Sequence, residues 1–189
     1  MNVFIIHGAY GYPEENWFNW LKIELYQLGV NCYVPQFPTP QNQSLANWMQ
    51  LFNQSYQHLT TPNSILIGHS LGAVFCLRWL EEQDCLLRAV VLAGVFIDYL
   101  GIEKFDSINS SFLAEDFNWK HIAKRSQEFA CFHGENDPYV PKQHVEQVVN
   151  QLGAKKIIIS QGGHLNTAAN FSQFPHLLIY LKNLLGVQA

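Results

Sequence analysis

The chain has 189 residues, of which 48% are hydrophobic and 14% charged, and its formal net charge is -4. That length buries a full core within one domain over residues 1–189, and the mild acidity offers no electrostatic footprint for nucleic acid or an anionic membrane, so neither is expected as a partner. The opening Met1-Asn2-Val3-Phe4-Ile5-Ile6-His7 shows no basic leader or cleavage-site pattern and no apolar run reaches membrane-spanning length, which predicts a soluble, cytoplasmic protein.

Val3 to His7 is the first of six short apolar runs, and the flexible turn His7-Gly8-Ala9-Tyr10-Gly11 follows it. Pro13 with Glu14 and Glu15 favours a helix start; Trp17, Leu21, Leu25 and Leu28 keep the helical period, and Gly29 supplies a stop. Asn31 to Val34 reads as a second strand, Ser44 to His58 as a helix and Ser64 to Gly68 as a third strand. From Leu71 to Gln83 the helical pattern returns, with Val74, Phe75, Leu77 and Leu80 apolar and Arg78, Glu81 and Glu82 predicted exposed.

Leu87 to Ala93 is the fourth strand, after which Val95 to about Asn118 mixes aromatics, Asp98, Asp106, Asp116 and small polar residues without a clear period. It is too long for an ordinary connection, and reads either as a small lid or as a surface excursion with one short helix. Phe129 to His133, a helix from Pro141 to Leu152, Lys156 to Ser160 and a helix from Phe174 to Leu185, closed by Gly186, complete the chain. The β-α alternation and near-continuous apolar strands predict a doubly wound α/β sheet of mostly parallel strands covered on both faces, with functional groups at the strands' carboxyl ends. Cys32, Cys76, Cys85 and Cys131 are widely spaced and sit mostly in apolar segments, as buried thiols do.

Gly68-His69-Ser70-Leu71-Gly72 stands directly after the apolar run Ile65-Leu66-Ile67 and directly before a helix pattern. A serine forced into a sharp strand-to-helix turn exposes its hydroxyl, and the flanking glycines leave room where a Cβ would collide. Ser70 is therefore the candidate nucleophile; the blander reading is a tight turn whose serine caps the next helix. A serine hydroxyl needs a base and a group that orients the base. Asp137 lies in the loop after the fifth strand and His164 in the loop after the sixth, giving the chain order serine, acid, histidine.

Asp98 and, behind it, Glu135 are alternative acids, and Asp137 before Pro138 could simply initiate a turn. An oxyanion would need two backbone donors: Leu71 N–H is the natural first, and the Ala9 amide the favoured second, ahead of Tyr10. His7, His69 and His133 also end strands, but no ligand spacing accompanies them, and no glycine-rich loop has dinucleotide or phosphate spacing. No cofactor and no metal are expected.

The run His7-Gly8 through Asn16-Trp17-Phe18-Asn19-Trp20-Leu21, the Ser70 pentapeptide, Asp137 with Val140-Pro141, and Gly162-Gly163-His164 together resemble the small serine hydrolases of the retinoblastoma-binding and YdeN-like family. The resemblance spans essentially the whole chain and implies a compact α/β-hydrolase fold without a large cap domain, with Ser70, Asp137 and His164 as triad. Trp17 and Trp20 match the family's tryptophans, and on an amphipathic helix they read first as core packing. The Leu-x-Cys-x-Glu pattern that retinoblastoma-pocket binding calls for is absent around all four cysteines. The expected activity is cleavage of a small ester, thioester or amide through an acyl-enzyme, with aromatic side chains near the strand ends suiting an apolar acyl pocket. A protein-interaction module on the same fold is the alternative, and acyl transfer or haloperoxidation a third reading.

Overall fold

Val3 and Ile5 point to one side of their strand, Phe4 and Ile6 to the other, and all four are buried. A strand apolar on both faces is stable only between two layers, and the chain builds both. The computed structural model describes residues 1–187. Its strands are β1 (Asn2–Ile6), β2 (Asn31–Tyr33), β3 (Ile65–His69), β4 (Ala89–Ala93), β5 (Phe129–Gly134) and β6 (Lys155–Ile159), in one parallel sheet of order β2-β1-β3-β4-β5-β6. Helices α1 (Phe18–Gln27) and α7 (Pro175–Leu185) cover one face, where Phe18, Leu21, Leu177 and Leu181 meet Val3, Ile5, Ile65 and Ile67.

The opposite face carries α2 (Leu45–Ser55), α3 (Leu71–Glu81), α4 (Glu103–Leu113), α5 (Trp119–Ile122) and α6 (Lys142–Leu152). Its core is aromatic: Trp48 stacks on Phe37 at 4.5 Å and meets Phe75 and Phe112 edge-on. The chain leaves β1 outward to β2 and returns to β3 on β1's other side. This places the topological switch, and the crevice it opens, at the carboxyl ends of β1 and β3.

Four features depart from the sequence reading. The segment after β4 holds α4, a full helix of 11 residues, and then α5. Asn109 and Phe112 of α4 are buried while most of its surface is polar, so the apolar period is thin. Arg78 is 4% exposed rather than solvated. Its Nε donates to the carbonyl of Phe112 at 2.8 Å, Nη2 donates to that of Glu115, and Nη1 pairs with Glu81 at 2.9 Å. Helix α1 begins at Phe18, after turns through the Pro13 region in which Asn16 takes φ 53°. Finally, β2 and β6 are edge strands and not covered throughout; Lys155, Lys156 and Ile158 are exposed.

Helix α3 lies buried along its whole apolar length, Leu71 to Leu80, and its first turn rests against the end of β1. A Cβ added at Gly72 would stand 2.1 Å from the Ile6 carbonyl oxygen, a backbone atom that cannot yield without moving the strand. Gly72→Ala should therefore lower unfolding free energy by about 1–3 kcal/mol or more, as overpacking of a rigid core does. Urea denaturation measures this, and an unchanged midpoint would contradict the packing described.

Candidate active site

Ser70 sits between the last residue of β3 and the first of α3, with φ 56° and ψ -122°. An L-residue rarely tolerates this conformation, and the cost is of order 1–3 kcal/mol. The surroundings enforce it: the Ser70 amide donates to the Ala93 carbonyl at 2.8 Å, and the Ser70 carbonyl accepts from Ala73 at 2.9 Å. The turn thus lifts the hydroxyl above the sheet's carboxyl edge.

His164 and Asp137 arrive from the loops after β6 and β5. His164 Nε2 is 2.9 Å from Ser70 Oγ, and His164 Nδ1 is 2.8 Å from Asp137 Oδ2. An ionised carboxylate only accepts, so Nδ1–H donates to Asp137 and Nε2 is left to accept from the Ser70 hydroxyl. The other carboxylate oxygen, Oδ1, accepts from the amides of Tyr139 at 2.9 Å and Val140 at 3.0 Å. Burial opposes ionisation of Asp137, but the His164 hydrogen bond and charge and these two amides outweigh it and hold the carboxyl below its usual range.

The reserve acids lie elsewhere. Asp98 Oδ1 accepts from the Tyr99 amide at 2.7 Å, and Glu135 accepts from the Ser160 hydroxyl at 3.0 Å. Among the described residues the amides of Leu71 and Ala9 carry no hydrogen-bond partner, whereas the Tyr10 amide is taken by Thr39 Oγ1 at 2.7 Å. Of the two amides considered in the first loop, only that of Ala9 is free to face a ligand.

Beside Ser70 opens a cavity of about 240 Å³. Its lining includes the apolar side chains of Phe96, Leu100 and Phe105, the ring of Tyr139, and the polar Glu15 and Asn166. Glu15 is raised to about 7, chiefly because burial disfavours its charge. Helix α4 supplies Lys104, Phe105 and Asn109 to the lining. Lys104 Nζ lies over the Tyr10 ring at 4.7 Å, and Phe105 meets the rings of Tyr10 and Tyr139 edge-on.

Several contributors escaped the sequence reading. Gly94, with φ 61°, lies where a Cβ would come within 3.1 Å of the His164 ring. Asn136 Oδ1 accepts from the Gly163 amide at 2.8 Å and joins the acid loop to the histidine loop. Trp17, read as packing, is fully buried and also donates Nε1–H to the Leu165 carbonyl at 2.9 Å. Signals for Gly94 and Asn136 existed in their places at a strand end and beside Asp137; the Trp17 bond joins residues too distant in sequence to leave one.

The cysteines are all free thiols. Burial pushes Cys32 and Cys131 up to about 12. Among the described residues no group of three or more His, Cys, Asp or Glu is arranged to hold a metal ion, and no helix is long and apolar enough to cross a membrane.

Residues 3–183 match the family model described as serine hydrolase. The YdeN hydrolase of Bacillus subtilis (strain 168) is 28% identical over 176 residues, spanning 92% of this chain and 90% of that protein. Serine hydrolase RBBP9 of Rattus norvegicus is 25% identical over 180 residues, 95% of this chain and 91% of its own. The crystal structure of the B. subtilis ydeN gene product superposes with a TM-score of 0.90 at 27% identity, covering 98% of both chains. Mouse α/β hydrolase domain-containing protein 10 shares the fold, with a TM-score of 0.71 at 14% identity over 98% of this chain and 89% of that one. The fold is that of a compact α/β-hydrolase.

Beneath the site lie histidines whose charge burial disfavours. Burial pulls His69 from 6.5 to about 3, with His164 nearby adding to the effect, and burial likewise lowers His7. Unfolding returns His69 to about 6.5, so the unfolded chain binds more protons there than the native one at any pH between about 3 and 6.5, and His7 acts in the same direction. The stability these histidines contribute is thus fully present above the unfolded value of about 6.5 and is lost as pH falls toward the folded value of His69, about 3. The urea midpoint should drop steadily across that window, and less steeply in His69→Gln. Equal slopes for the two proteins would refute a buried neutral His69.

Proposed function

The chain belongs to the serine hydrolase family, and from that premise we propose that it cleaves a small ester, thioester or amide with Ser70 as nucleophile, His164 as acid and base, and Asp137 as its orienting carboxylate. The observation that carries the reading is the unbroken hydrogen-bonded line from Asp137 through His164 to Ser70, ending at the mouth of the cavity. Ser70 Oγ attacks the substrate carbonyl carbon while its proton passes to His164 Nε2. Asp137 stabilises the imidazolium so formed.

The carbonyl oxygen, now an anion, receives the amides of Leu71 and Ala9; one such donor is worth about 10²–10³ in rate. Collapse breaks the bond to the alcohol, thiol or amine, which departs with the proton from His164. Water then enters, gives a proton to His164 and attacks the acyl carbon. Ser70 Oγ leaves with that proton, and the carboxylic acid is released.

A cavity of about 240 Å³ whose lining includes Phe96, Leu100 and Phe105 suits a short acyl group. The reading carries a small molecule as partner, no nucleic acid or membrane, and a cytoplasmic setting. It expects the wild type to react with a fluorophosphonate probe and Ser70→Ala to remain unlabelled while folded. On nitrophenyl esters, Ser70→Ala should lose at least about 10⁴ in kcat, and butyrate should exceed octanoate by about tenfold in kcat/KM. Folded wild type that neither labels nor turns over any ester or aminoacyl amide would favour a binding module on the same fold.

A further inference from the structure

The loop that carries His164 has a costly backbone. Gln161, Gly163 and Leu165 take φ of 52°, 48° and 53°, and two of these three are not glycine. A loop in such a conformation persists only where its surroundings over-determine it. The hydrogen bond from His164 to Asp137 fixes the ring but not the two carbonyls that follow its Cα, those of His164 and Leu165.

Two buried N–H groups from distant elements close on those carbonyls. His69 Nε2 is 2.8 Å from the His164 carbonyl oxygen, and Trp17 Nε1 is 2.9 Å from that of Leu165. A carbonyl only accepts, so His69 is the Nε2–H tautomer and donates. Its Nδ1 is buried without a partner, which leaves no route for a proton through the ring. The imidazole is 3% exposed and packs edge-on against Trp17 at 6.2 Å and Phe18 at 5.9 Å. Burial keeps it neutral, so it places no charge 5.1 Å from the His164 ring.

We propose that His69 is a positioning residue for His164: with Trp17 it forms a clamp of two N–H donors on the consecutive carbonyls of His164 and Leu165, which holds His164 Nε2 in register with Ser70 Oγ. The clamp rests on the hydrolase reading above for its consequence in rate, but not for its existence. It ties the histidine loop directly to the nucleophile elbow, because His69 is the residue immediately before Ser70. The identity of that residue, which the glycine-serine pattern leaves open, is thereby set by a hydrogen bond across the sheet edge. An imidazole N–H reaches the carbonyl; an apolar ring of similar size fills the space and leaves that carbonyl without its donor.

The test uses the full chain. His69→Phe keeps an aromatic ring and removes the donor, His69→Gln keeps an N–H near the same place, and Trp17→Phe removes the second donor. Turnover of nitrophenyl butyrate is measured per fluorophosphonate-titrated site, and amide hydrogen exchange is followed over residues 161–167. A displacement of about an ångström at a reacting group costs about 10² in rate. The expected result is that kcat falls by about 10² in His69→Phe and about tenfold in Trp17→Phe, with KM within about twofold. Exchange should quicken over 161–167 and not elsewhere, and His69→Gln should stay within about threefold of wild type in kcat.

Wild-type kcat and protection in His69→Phe would overturn the clamp, as would His69→Gln as slow as His69→Phe. If His69→Phe does not fold, Trp17→Phe decides by the same two readouts. Ser70→Ala should lose turnover with loop protection intact. A folded wild type that neither labels nor turns over any ester or aminoacyl amide would end the hydrolase reading, while the exchange measurement would still decide the clamp.

Discussion

The close seat of α3 against the end of β1 is the contact on which the site depends. Parallel order makes β1 and β3 neighbours, so the chain leaving β3 must turn at once into a helix that packs over β1. Room for that helix exists only because Gly72 brings no side chain to the Ile6 carbonyl. The turn that results strains Ser70 by about 1–3 kcal/mol. Each fully buried leucine or phenylalanine of α3 returns about 1.5–3 kcal/mol, so Leu71, Phe75, Leu77 and Leu80 together outweigh the strain severalfold. The elbow is a consequence of packing, and its exposed hydroxyl a consequence of the elbow.

The same dry interior sorts charge beneath the hydroxyl. Asp137 is buried, yet three N–H donors on its two oxygens keep it ionised. His7 and His69 are buried with fewer compensations: His7 Nδ1 donates to the Gly8 carbonyl and its Nε2 accepts from the Phe37 amide, an arrangement that only a neutral ring can make. The Asp137 carboxylate therefore stands beside neutral imidazoles and is hydrogen-bonded to the His164 ring. The titratable groups are thus pushed apart: hydrogen bonding outweighs burial and holds the carboxyl of Asp137 down, while burial keeps the imidazoles of His7 and His69 uncharged.

The strand and helix sequence was legible because each signal is local. Ile65-Leu66-Ile67 before Gly68 announces a buried strand and a tight turn within a few residues, and the loops bearing Asp137 and His164 follow runs of the same kind. The outcome for Arg78 shows where local reading fails: a charge on an amphipathic helix ordinarily faces water, and only the arrival of the carbonyls of Phe112 and Glu115 makes burial possible. Helix α4 escaped because its face toward the core includes the polar Asn109, whose side-chain oxygen accepts from Gln43 at 2.8 Å. The Trp17 and His69 bonds join residues 148 and 95 positions apart, so neither partner's neighbourhood hints at the other.

Arg78 also bears on what α4 does. Its contacts fasten the C-terminal end of α4 to α3, the helix that begins next to Ser70. At the other end, Asp106 accepts from the amides of Leu100 at 2.8 Å and Ile102 at 2.9 Å, and the Tyr10 hydroxyl donates to the Lys104 carbonyl at 3.3 Å. Movable covers are drawn from segments with few buried contacts and exposed hydrogen bonds. The later turns of α4 are not of that kind: Asn109 and Phe112 are buried there, Gln43 donates to Ile108 and Asn109, and Arg78 donates to the Phe112 carbonyl, whereas at the first turn the bond that leaves the segment is the exposed one from Tyr10 to Lys104. Phe105 and Lys104 belong to that first turn and line the cavity beside Ser70, so the width of the cavity follows from how the anchored turns of α4 carry these two side chains.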